Sequence, residues 1–220
     1  SMSLKLIRGI HNLKNDSVPS VVTIGAFDGM HLGHQAVINS LQKFSGQKVV
    51  ILFEPLPKEF FSNSPVPRLS RLRDKLKVLE QWGIDRVLCI KFDQKFSQMT
   101  AQEFIQKILI DGLNTKYLII GDDFKFGFKR QGDFGLLKNQ KAFQTFPTET
   151  FLKNNRRVAS SWVRSAVMSG DFELAKILLG RPYVLHGKVQ HGDKNGRKLG
   201  FPTLNIGLPK PMAVSGVYEV

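Results

Sequence analysis

A short glycine-rich stretch near the N-terminus carries two histidines at closely spaced positions. Its sequence is Gly25-Ala26-Phe27-Asp28-Gly29-Met30-His31-Leu32-Gly33-His34-Gln35, with an apolar run (21–24) before it and a periodic segment (36–44) after it. This pattern predicts a strand, a tight turn and the first turn of a helix. Glycine lets the backbone approach a ligand, and a helix N-terminus offers unpaired N–H groups to an anion. Since two imidazoles there can add hydrogen bonds or positive charge to a phosphate, we expect the turn to hold a nucleotide triphosphate for attack.

The spacing of these glycines and histidines leaves other kinds of site open. Gly25, Gly29 and Gly33 recur at every fourth position, which matches neither the dinucleotide-binding fingerprint nor the P-loop. His31 and His34 have the i, i+3 spacing of zinc ligands, but neither a cysteine partner nor an HExxH-type pattern supports a metal site. They can also be polar residues at a helix start without a function. Two histidines inside a glycine turn after a buried strand favour the functional interpretation.

Strand-like and helix-like segments alternate about five times along most of the chain. Predicted strands cover 21–24, 49–53, 86–92, 117–120 and 145–150, and predicted helices cover 36–44, 72–82, 101–109, 136–140, 160–167 and 171–179. Ser70 and the pair Ser160-Ser161 are predicted N-caps, and Thr100 forms a predicted capping box with Glu103. The alternation predicts an α/β fold, a doubly wound parallel sheet with helices on both faces.

Three predicted strands end in loops that suit a ligand site. Gly25 follows one strand, a stiff loop with Pro55 and Pro57 follows another, and Gly121-Asp122-Asp123 follows a third. In parallel sheets ligands bind at the carboxyl ends of the strands. We therefore expect the three loops to meet on one rim of the sheet.

The overall composition excludes some classes of protein and leaves others open. No apolar run is long enough to cross a membrane, and the single cysteine, Cys89, lies in a predicted buried strand. A disulfide framework or a thiolate metal site is therefore not expected, and the cytoplasm is the expected location. The 220 residues carry a formal charge of +14, but the basic residues are scattered, so this charge alone does not predict nucleic-acid binding.

The helical period disappears from Tyr183 onward. Segments 184–189 and 216–220 have strand-like patterns, and a glycine-rich polar stretch (192–200) lies between them. This change predicts a second, all-β unit that begins near residue 183. Because the given sequence ends within a strand-like segment, we expect this unit to be incomplete.

The histidine turn resembles the HxGH signature of the nucleotidylyltransferase superfamily, in the form found in the bacterial bifunctional riboflavin kinase/FAD synthetases. Residues 53–61 resemble the family's TFxPHPxEFF-type loop, with Leu52 at the usual Thr and Leu56 at the usual His. Residues 121–127 are similar to its GxDFxFG stretch. Residues 158–164 resemble ISSTxIR, with Ala and Ser at two small polar positions.

The resemblance continues to the end of the sequence. Residues 170–183 are similar to the end of the family's first module, and 196–205 resemble the start of a riboflavin kinase barrel, with Leu204 at the alanine of the PTAN motif. The resemblance implies a Rossmann-like nucleotidylyltransferase domain over 1–182 and an incomplete all-β riboflavin kinase barrel over 183–220. Together these motifs cover nearly the whole chain in the family's order.

The resemblance also implies an activity. The first domain is expected to transfer AMP from ATP, with Mg²⁺, to FMN, which gives FAD and pyrophosphate. A complete chain of this family also phosphorylates riboflavin to FMN. Because the family's catalytic carboxylate lies beyond the sequence given, we expect no riboflavin phosphorylation by this chain. The expected partners are the small molecules ATP, FMN and, for a complete kinase module, riboflavin, with neither nucleic acid nor membrane.

Site residues follow from the motifs and from side-chain chemistry. The predicted catalytic residues are His31, His34, Asp123 and Arg164, and the predicted ATP-binding residues are Gly25, Phe27, Asp28, Gly33, Ser160 and Ser161. Pro55, Pro57, Phe61 and Phe126 are predicted flavin walls, since a flat isoalloxazine needs apolar and aromatic contacts. Thr203 and Asn205 are the predicted Mg-nucleotide residues of the kinase module, and no protein ligand for a metal is expected in the first domain.

Several of these assignments have simpler alternatives. The phenylalanines can belong to the core, Asp28 can merely brace the turn, and Arg164 can be a surface residue of its helix. Asp123 is expected to contact the acceptor or a Mg²⁺-bound phosphate.

Two other functions remain open at this stage. One is nucleotidyl transfer to a different phosphorylated acceptor, and the other is a basic nucleic-acid-binding or regulatory protein on the same scaffold. The presence of both histidines and Arg164 favours an enzyme.

Overall fold

The computed structural model describes residues 4–62 and 68–184, together with the backbone of 188–189 and 206–207. The chain divides into two compact units. The first contains the chain up to residue 26 together with 36–61 and 76–149, and the second contains 27–35, 62–75 and the chain from residue 150. The predicted strand at 216–220, Thr203, Asn205 and most of the predicted barrel (183–220) lie outside the described residues.

The first unit is built on a six-stranded sheet. Its strands are β1 (Lys5–Arg8), β2 (Ser20–Ile24), β3 (Gln47–Phe53), β4 (Arg86–Ile90), β5 (Thr115–Ile120) and β6 (Gln144–Pro147). All of the pairings are parallel, in the order β1-β4-β3-β2-β5-β6. The predicted parallel α/β sheet is therefore confirmed, with β1 as an edge strand that the sequence patterns did not predict.

The helices connect these strands and extend into the second unit. They are α1 (Leu32–Leu41), α2 (Pro57–Ser62), α3 (Leu72–Gln81), α4 (Gln94–Ser97), α5 (Ala101–Glu103), α6 (Phe134–Lys138), α7 (Ser160–Met168) and α8 (Phe172–Leu179). α5 continues as a π-helix over Phe104–Gly112, and short 3₁₀ turns cover Ile10–Asn12 and Phe128–Arg130. Two small antiparallel pairs join β7 (Leu152–Lys153) to β8 (Arg156–Arg157) and β9 (Lys188–Val189) to β10 (Ile206–Gly207).

One local prediction about the helices needs correction. α2 begins within the segment that we predicted to be a stiff loop, because Pro57 is its first residue and proline suits that position. The predicted helix start at the two histidines is confirmed, since α1 begins at Leu32, directly after His31. The predicted capping box is confirmed, since the Thr100 hydroxyl accepts from the Glu103 N–H and the Glu103 carboxylate accepts from the Thr100 N–H.

The core of the first unit lies on the sheet. Every residue of β2 is buried, as a strand covered on both faces requires. On one face, side chains such as Val22, Ile51 and Leu88 pack against Phe104 and Ile108 of the helical segment after Thr100. Cys89 is buried in β4, as predicted.

The order of the strands reverses next to β2, because β3 pairs with one of its edges and β5 with the other. Such switch points are where ligands bind in open α/β sheets, outside the carboxyl ends of the strands. Gly25 follows β2, Pro55 follows β3 and Gly121 follows β5. The three loops therefore leave the same edge of the sheet, as predicted.

The second unit has a smaller core between α7 and α8. Val163, Ala166 and Val167 of α7 pack with Ala175 and Leu178 of α8. None of the helices in the described ranges is long and apolar enough to span a bilayer.

Candidate active site

His31 and His34 form a capping box at the start of α1. His31 is the residue before the helix, and its Nδ1 accepts a hydrogen bond from the His34 N–H at 3.2 Å. In return the Nδ1 of His34 accepts from the His31 N–H at 3.3 Å. The two rings stack with centroids 3.6 Å apart and planes inclined by 15°. Imidazoles thus take the places that Ser or Thr and Glu or Gln occupy in the usual capping box.

These reciprocal bonds assign the tautomer of both rings. Since each Nδ1 accepts a hydrogen bond from a backbone N–H, Nδ1 carries no proton and the proton of the neutral ring lies on Nε2. Each ring therefore keeps an Nε2–H as a donor. The pair presents two such donors from one helix N-terminus, where the helix dipole also favours an anion.

Both histidines are held in the neutral form. Burial, together with the nearby positive charges of Arg157, Arg164 and Arg181, lowers the pKa of His31 to about 4. Burial also lowers the pKa of His34 well below its usual value, with added effects from His31, Lys75 and Arg181. Of the two contributions that we expected from these imidazoles, hydrogen bonds and positive charge, the free turn therefore offers the hydrogen bonds. The positive charge of the site comes from arginine and lysine instead.

This pKa shift predicts a dependence of stability on pH. Because the folded pKa of His31, about 4, lies below its usual 6.5, the unfolded chain binds more protons between these values. The contribution of neutral His31 to the free energy of unfolding is therefore complete above pH 6.5. It is lost as the pH falls towards 4, and the loss is about 3 kcal/mol at most. Urea unfolding of wild-type and His31→Asn chains at several pH values measures this loss.

We expect the variant to lose most of this pH dependence, and His11→Asn, a change at an exposed histidine, to keep it. Equal pH dependence in wild type and His31→Asn would contradict the buried, neutral state of His31.

Asp28 connects the histidine turn to two other segments of the second unit. The carboxylate is buried and accepts from the Leu69 N–H at 2.8 Å and from the Ser70 N–H at 3.1 Å. Its second oxygen accepts from Nη1 of Arg164 at 3.0 Å. Arg164 is itself only 8 % exposed, so the alternative that it is a surface helix residue is wrong. Asp28 thus braces the turn, which was the simpler alternative for this residue.

Two serines that we predicted as helix caps bond to the turn instead. The hydroxyl of Ser160 donates to the carbonyl of Asp28 at 2.8 Å, and the hydroxyl of Ser70 accepts from the Gly29 N–H at 3.1 Å. The residue before α7 is Ala159, which makes no side-chain cap. Both cap predictions are therefore wrong, because each hydroxyl bonds to the backbone of the turn, at Asp28 or Gly29, instead of to the first N–H groups of its own helix. Ser161 lies half-buried in the first turn of α7.

The turn itself has an unusual backbone. Phe27 and Met30 have φ of 52° and 50°, and Gly29 has φ of 87°. Such values are uncommon for residues other than glycine and cost free energy unless the surroundings hold them. Phe27 and Met30 are buried, and the Phe27 ring tilts against His34 at 5.0 Å. The bonds to Asp28, Ser70 and Ser160 are part of what holds this conformation.

Gly33 gives a test of this geometry. A Cβ at Gly33 would lie 2.9 Å from Cε1 of His31 and 3.0 Å from the Val158 carbonyl oxygen. We expect Gly33→Ala to displace the His31 ring and to lower the catalytic rate by roughly tenfold to a hundredfold, the scale of a misplaced catalytic group.

The matched control is Gly135→Ala in α6, where a Cβ would meet nothing closer than 3.5 Å. Thermal unfolding of both variants separates misplacement from loss of the fold. Wild-type turnover in a folded Gly33→Ala chain would contradict the packing described here.

The other predicted site residues lie in the first unit. Gly25 donates its N–H to the Ile51 carbonyl at 3.2 Å, and Asp123 is exposed in the loop after β5. Pro55 and Pro57 are half-buried around the start of α2, and the Glu54–Pro55 peptide bond is cis.

The two predicted flavin-wall phenylalanines differ in exposure. Phe61 is 65 % exposed and touches the rings of Phe60 and Phe92. Phe126 is buried and packs against Phe104 and Phe124. Phe126 therefore takes the core position that was its simpler alternative, because the helix after Thr100 covers it, whereas Phe61 offers an open aromatic surface.

Sequence reasoning missed the further cations around the histidines. Lys75, near the start of α3, is only 4 % exposed, and Arg157 and Arg181 act electrostatically on His31. The basic stretch 68–77 is the signal that could have pointed to Lys75. Arg181 lies many positions from the turn, so that nothing in its local pattern indicated a role.

Comparison with known proteins places the chain in a family. The family model described as FAD synthetase matches residues 13–162, and the model described as riboflavin kinase matches 179–220. The chain is 47 % identical over 227 residues to the bifunctional riboflavin kinase/FMN adenylyltransferase of Buchnera aphidicola subsp. Schizaphis graminum, covering 99 % of this chain and 73 % of that protein. The protein of the same description from Escherichia coli K12 is 45 % identical over 228 residues, covering 99 % and 72 %.

A solved structure is also similar. It is described as a macrolide-efflux protein from Streptococcus pneumoniae, with a TM-score of 0.71 and 25 % identity, over 86 % of this chain and 66 % of that one. The two family matches occur in the order that the sequence motifs predict, and the relatives align over nearly the whole chain. This protein therefore belongs to the family of bifunctional riboflavin kinases/FMN adenylyltransferases.

Proposed function

We propose that this chain is an FMN adenylyltransferase, which transfers AMP from ATP to FMN and releases pyrophosphate. The family of the chain and the names of its relatives support this activity. The observation that carries the proposal is the His31–His34 box, two neutral imidazoles with Nε2–H donors at one helix N-terminus, near buried cations. Such a site suits the polyphosphate of a nucleotide.

The reaction needs positioning and charge stabilisation rather than covalent help from the protein. A phosphate oxygen of FMN attacks the α-phosphorus of ATP, the new P–O bond forms, and the bond to the β-phosphate oxygen breaks in line with it. Negative charge then develops on the departing pyrophosphate. We propose that the Nε2–H groups of His31 and His34, with the helix N-terminus, stabilise this charge.

Other residues of the second unit support this pair. Arg164, held by Asp28, and the half-buried Ser161 at the start of α7 complete the proposed triphosphate site. Phe27 and Gly33 shape the turn, and Ser160 fixes it through the Asp28 carbonyl. We assign Asp28 to holding the turn rather than to direct contact with ATP, because its oxygens already accept bonds from Arg164 and from two backbone N–H groups.

The first unit offers candidates for the acceptor. We propose that Pro55, Pro57 and the exposed Phe61 contact the isoalloxazine, and that Asp123 contacts the acceptor or a Mg²⁺-bound phosphate. Gly25 follows β2, donates its N–H to the Ile51 carbonyl and contributes the shape of the backbone there. An apolar, aromatic surface of this kind suits a flat ring system.

Magnesium is expected to come with ATP and would neutralise charge on the triphosphate when bound. Within the described parts of the chain, no group of three or more His, Cys, Asp and Glu side chains is placed to hold a metal ion. The donors at the turn are N–H groups and cations, and the Asp28 oxygens are engaged, which does not fit a cation held by the protein there. We therefore derive no step of the reaction from a protein-bound metal.

The domain boundary, the partners and the location of the protein are also part of this proposal. We propose that residues 1–182 form the adenylyltransferase domain and that residue 183 begins the kinase domain, in agreement with the order of the two family matches. The proposed partners are the small molecules ATP and FMN, in the cytoplasm.

The test is an assay with ATP, Mg²⁺ and FMN in which chromatography follows FAD and pyrophosphate. Formation of both is expected. A chain that leaves FMN unchanged but converts another phosphorylated acceptor, with ATP or CTP, would be a different nucleotidyltransferase. Salt-sensitive binding of RNA or DNA without any conversion would support the nucleic-acid-binding alternative.

A further inference from the structure

Arg181 reaches back to the histidine turn from the segment that follows α8. Gly180 ends that helix in the left-handed region, with φ of 77°, and Arg181 comes next. Its Nη1 donates to the carbonyl of Met30 at 2.6 Å and to that of Leu179 at 3.1 Å, and its Nη2 donates to the carbonyl of Gly29 at 3.1 Å. One guanidinium therefore joins the end of α8 to the two residues before His31.

The two turn carbonyls belong to residues with a strained backbone. Gly29 and Met30 both have positive φ, which is an uncommon backbone conformation for a residue other than glycine, and the Met30 side chain is fully buried. Conformations of this kind persist when surrounding bonds specify them. The planar fork of an arginine can hold two neighbouring carbonyls at once, which a lysine, as a single point donor, cannot do in the same geometry.

Arg181 also acts electrostatically on both rings. Its charge lowers the pKa of His31 together with Arg157 and Arg164, and it lowers the pKa of His34 together with Lys75. Asp28 is bonded to Arg164 in the same part of the unit. Of the arginines and lysines that lower these pKa values, Arg181 is the one that affects both histidines.

We propose that Arg181 is a positioning residue for AMP transfer, which holds the Gly29 and Met30 carbonyls so that the His31–His34 box keeps its geometry. This inference rests on the proposed function. Arg181 lies within 179–220, the part of the chain that matches the riboflavin kinase family, yet it bonds to the turn that we assign to ATP. This contact fits the proposed boundary at residue 183, which leaves Arg181 in the adenylyltransferase domain although the riboflavin kinase family model also matches it.

The experiment compares Arg181→Met and Arg181→Lys with Lys176→Met, an exposed lysine of α8 whose replacement removes the same charge without touching the turn. We expect kcat for FAD formation to fall on the order of a hundredfold in Arg181→Met, with a smaller change in KM for ATP, since orientation rather than binding is lost. Arg181→Lys should recover little, and Lys176→Met should behave as wild type.

A second readout follows the histidines directly. NMR titration of the ring C–H signals should show the pKa of His31 and His34 raised in Arg181→Met, less so in Arg181→Lys, and unchanged in Lys176→Met. Wild-type kcat in a folded Arg181→Met chain, or unchanged histidine titration, would overturn the proposal. Loss of the fold in both Arg181 variants would also overturn it, because Arg181 would then be a general structural residue.

If wild type and Lys176→Met form no FAD, the proposed function fails. The histidine titration still tests whether Arg181 holds the turn.

Discussion

Replacement of His31 by alanine is expected to lower the rate of FAD formation by about a hundredfold or more, the usual scale for a lost charge-stabilising donor. The imidazole is 5 % exposed, its Nδ1 accepts from His34, and its Nε2–H is the donor that we assign to the triphosphate. Alanine removes this donor and also the helix cap. Steady-state measurement of FAD by chromatography, with ATP and FMN varied separately, gives the change in kcat and in each KM.

A second pair of variants tests the capping role of the histidines separately from their role as donors to the triphosphate. Asparagine is a strong N-cap and can accept from the His34 N–H, and glutamine suits the third helical position of a capping box. His31→Asn and His34→Gln should therefore keep most of the stability that His31→Ala loses, about 0.5–2 kcal/mol for a cap. Their activity should stay low. Near-normal turnover in His31→Ala or His31→Asn would rule out the role assigned to this imidazole.

Breaking the buried pair of Asp28 and Arg164 is expected to have the largest effect on stability. The pair is joined at 3.0 Å with side chains only 7 % and 10 % exposed, and Asp28 also accepts from the backbone of Leu69 and Ser70. Asp28→Ala leaves a buried guanidinium and two N–H groups without this acceptor, so the free energy of unfolding should fall by about 3–5 kcal/mol. Urea unfolding measures this loss, and FAD formation should fall with it.

A double-mutant cycle with Asp28→Asn and Arg164→Met isolates the pair itself. The double variant should lose less stability than the sum of the single variants, but it should not recover fully, because the backbone N–H groups still lack a charged acceptor. The control is Lys107→Met, which breaks an exposed pair with Glu103 and should change stability little. Additive losses in the cycle would contradict a direct interaction between Asp28 and Arg164.

Local patterns in the sequence were sufficient to predict most of the strands and helices of the fold. Continuous apolar runs such as 49–53 became central parallel strands, and the Thr100 capping box and the Gly180 helix end are both present. These features are predictable because each depends on residues close together in the sequence and on the spacing of the apolar residues. Edge strand β1 was missed, because its apolar run is only Leu6 and Ile7, between Lys5 and Arg8, which is too short to give a strand pattern.

The sequence was sufficient to identify most residues of the candidate site, but it did not predict their hydrogen-bond partners. The two histidines and the glycine turn were identified, whereas their mutual capping requires knowledge of where the helix begins. Ser160 and Arg181 bond to turn residues that lie 132 and 151 positions away, and no local pattern specifies such partners. The low pKa of His31 was missed for the same reason, since burial and distant arginines cause it.

Radioactive label in ATP, in the reaction with FMN and Mg²⁺, tests most directly whether the His31–His34 box promotes attack on the α-phosphate. Label from [α-³²P]ATP should therefore appear in FAD, while label from [γ-³²P]ATP should appear in pyrophosphate, and both should fall about a hundredfold in His31→Ala. Transfer of the γ-label to the flavin, or equal incorporation of the α-label by wild type and His31→Ala, would contradict the account.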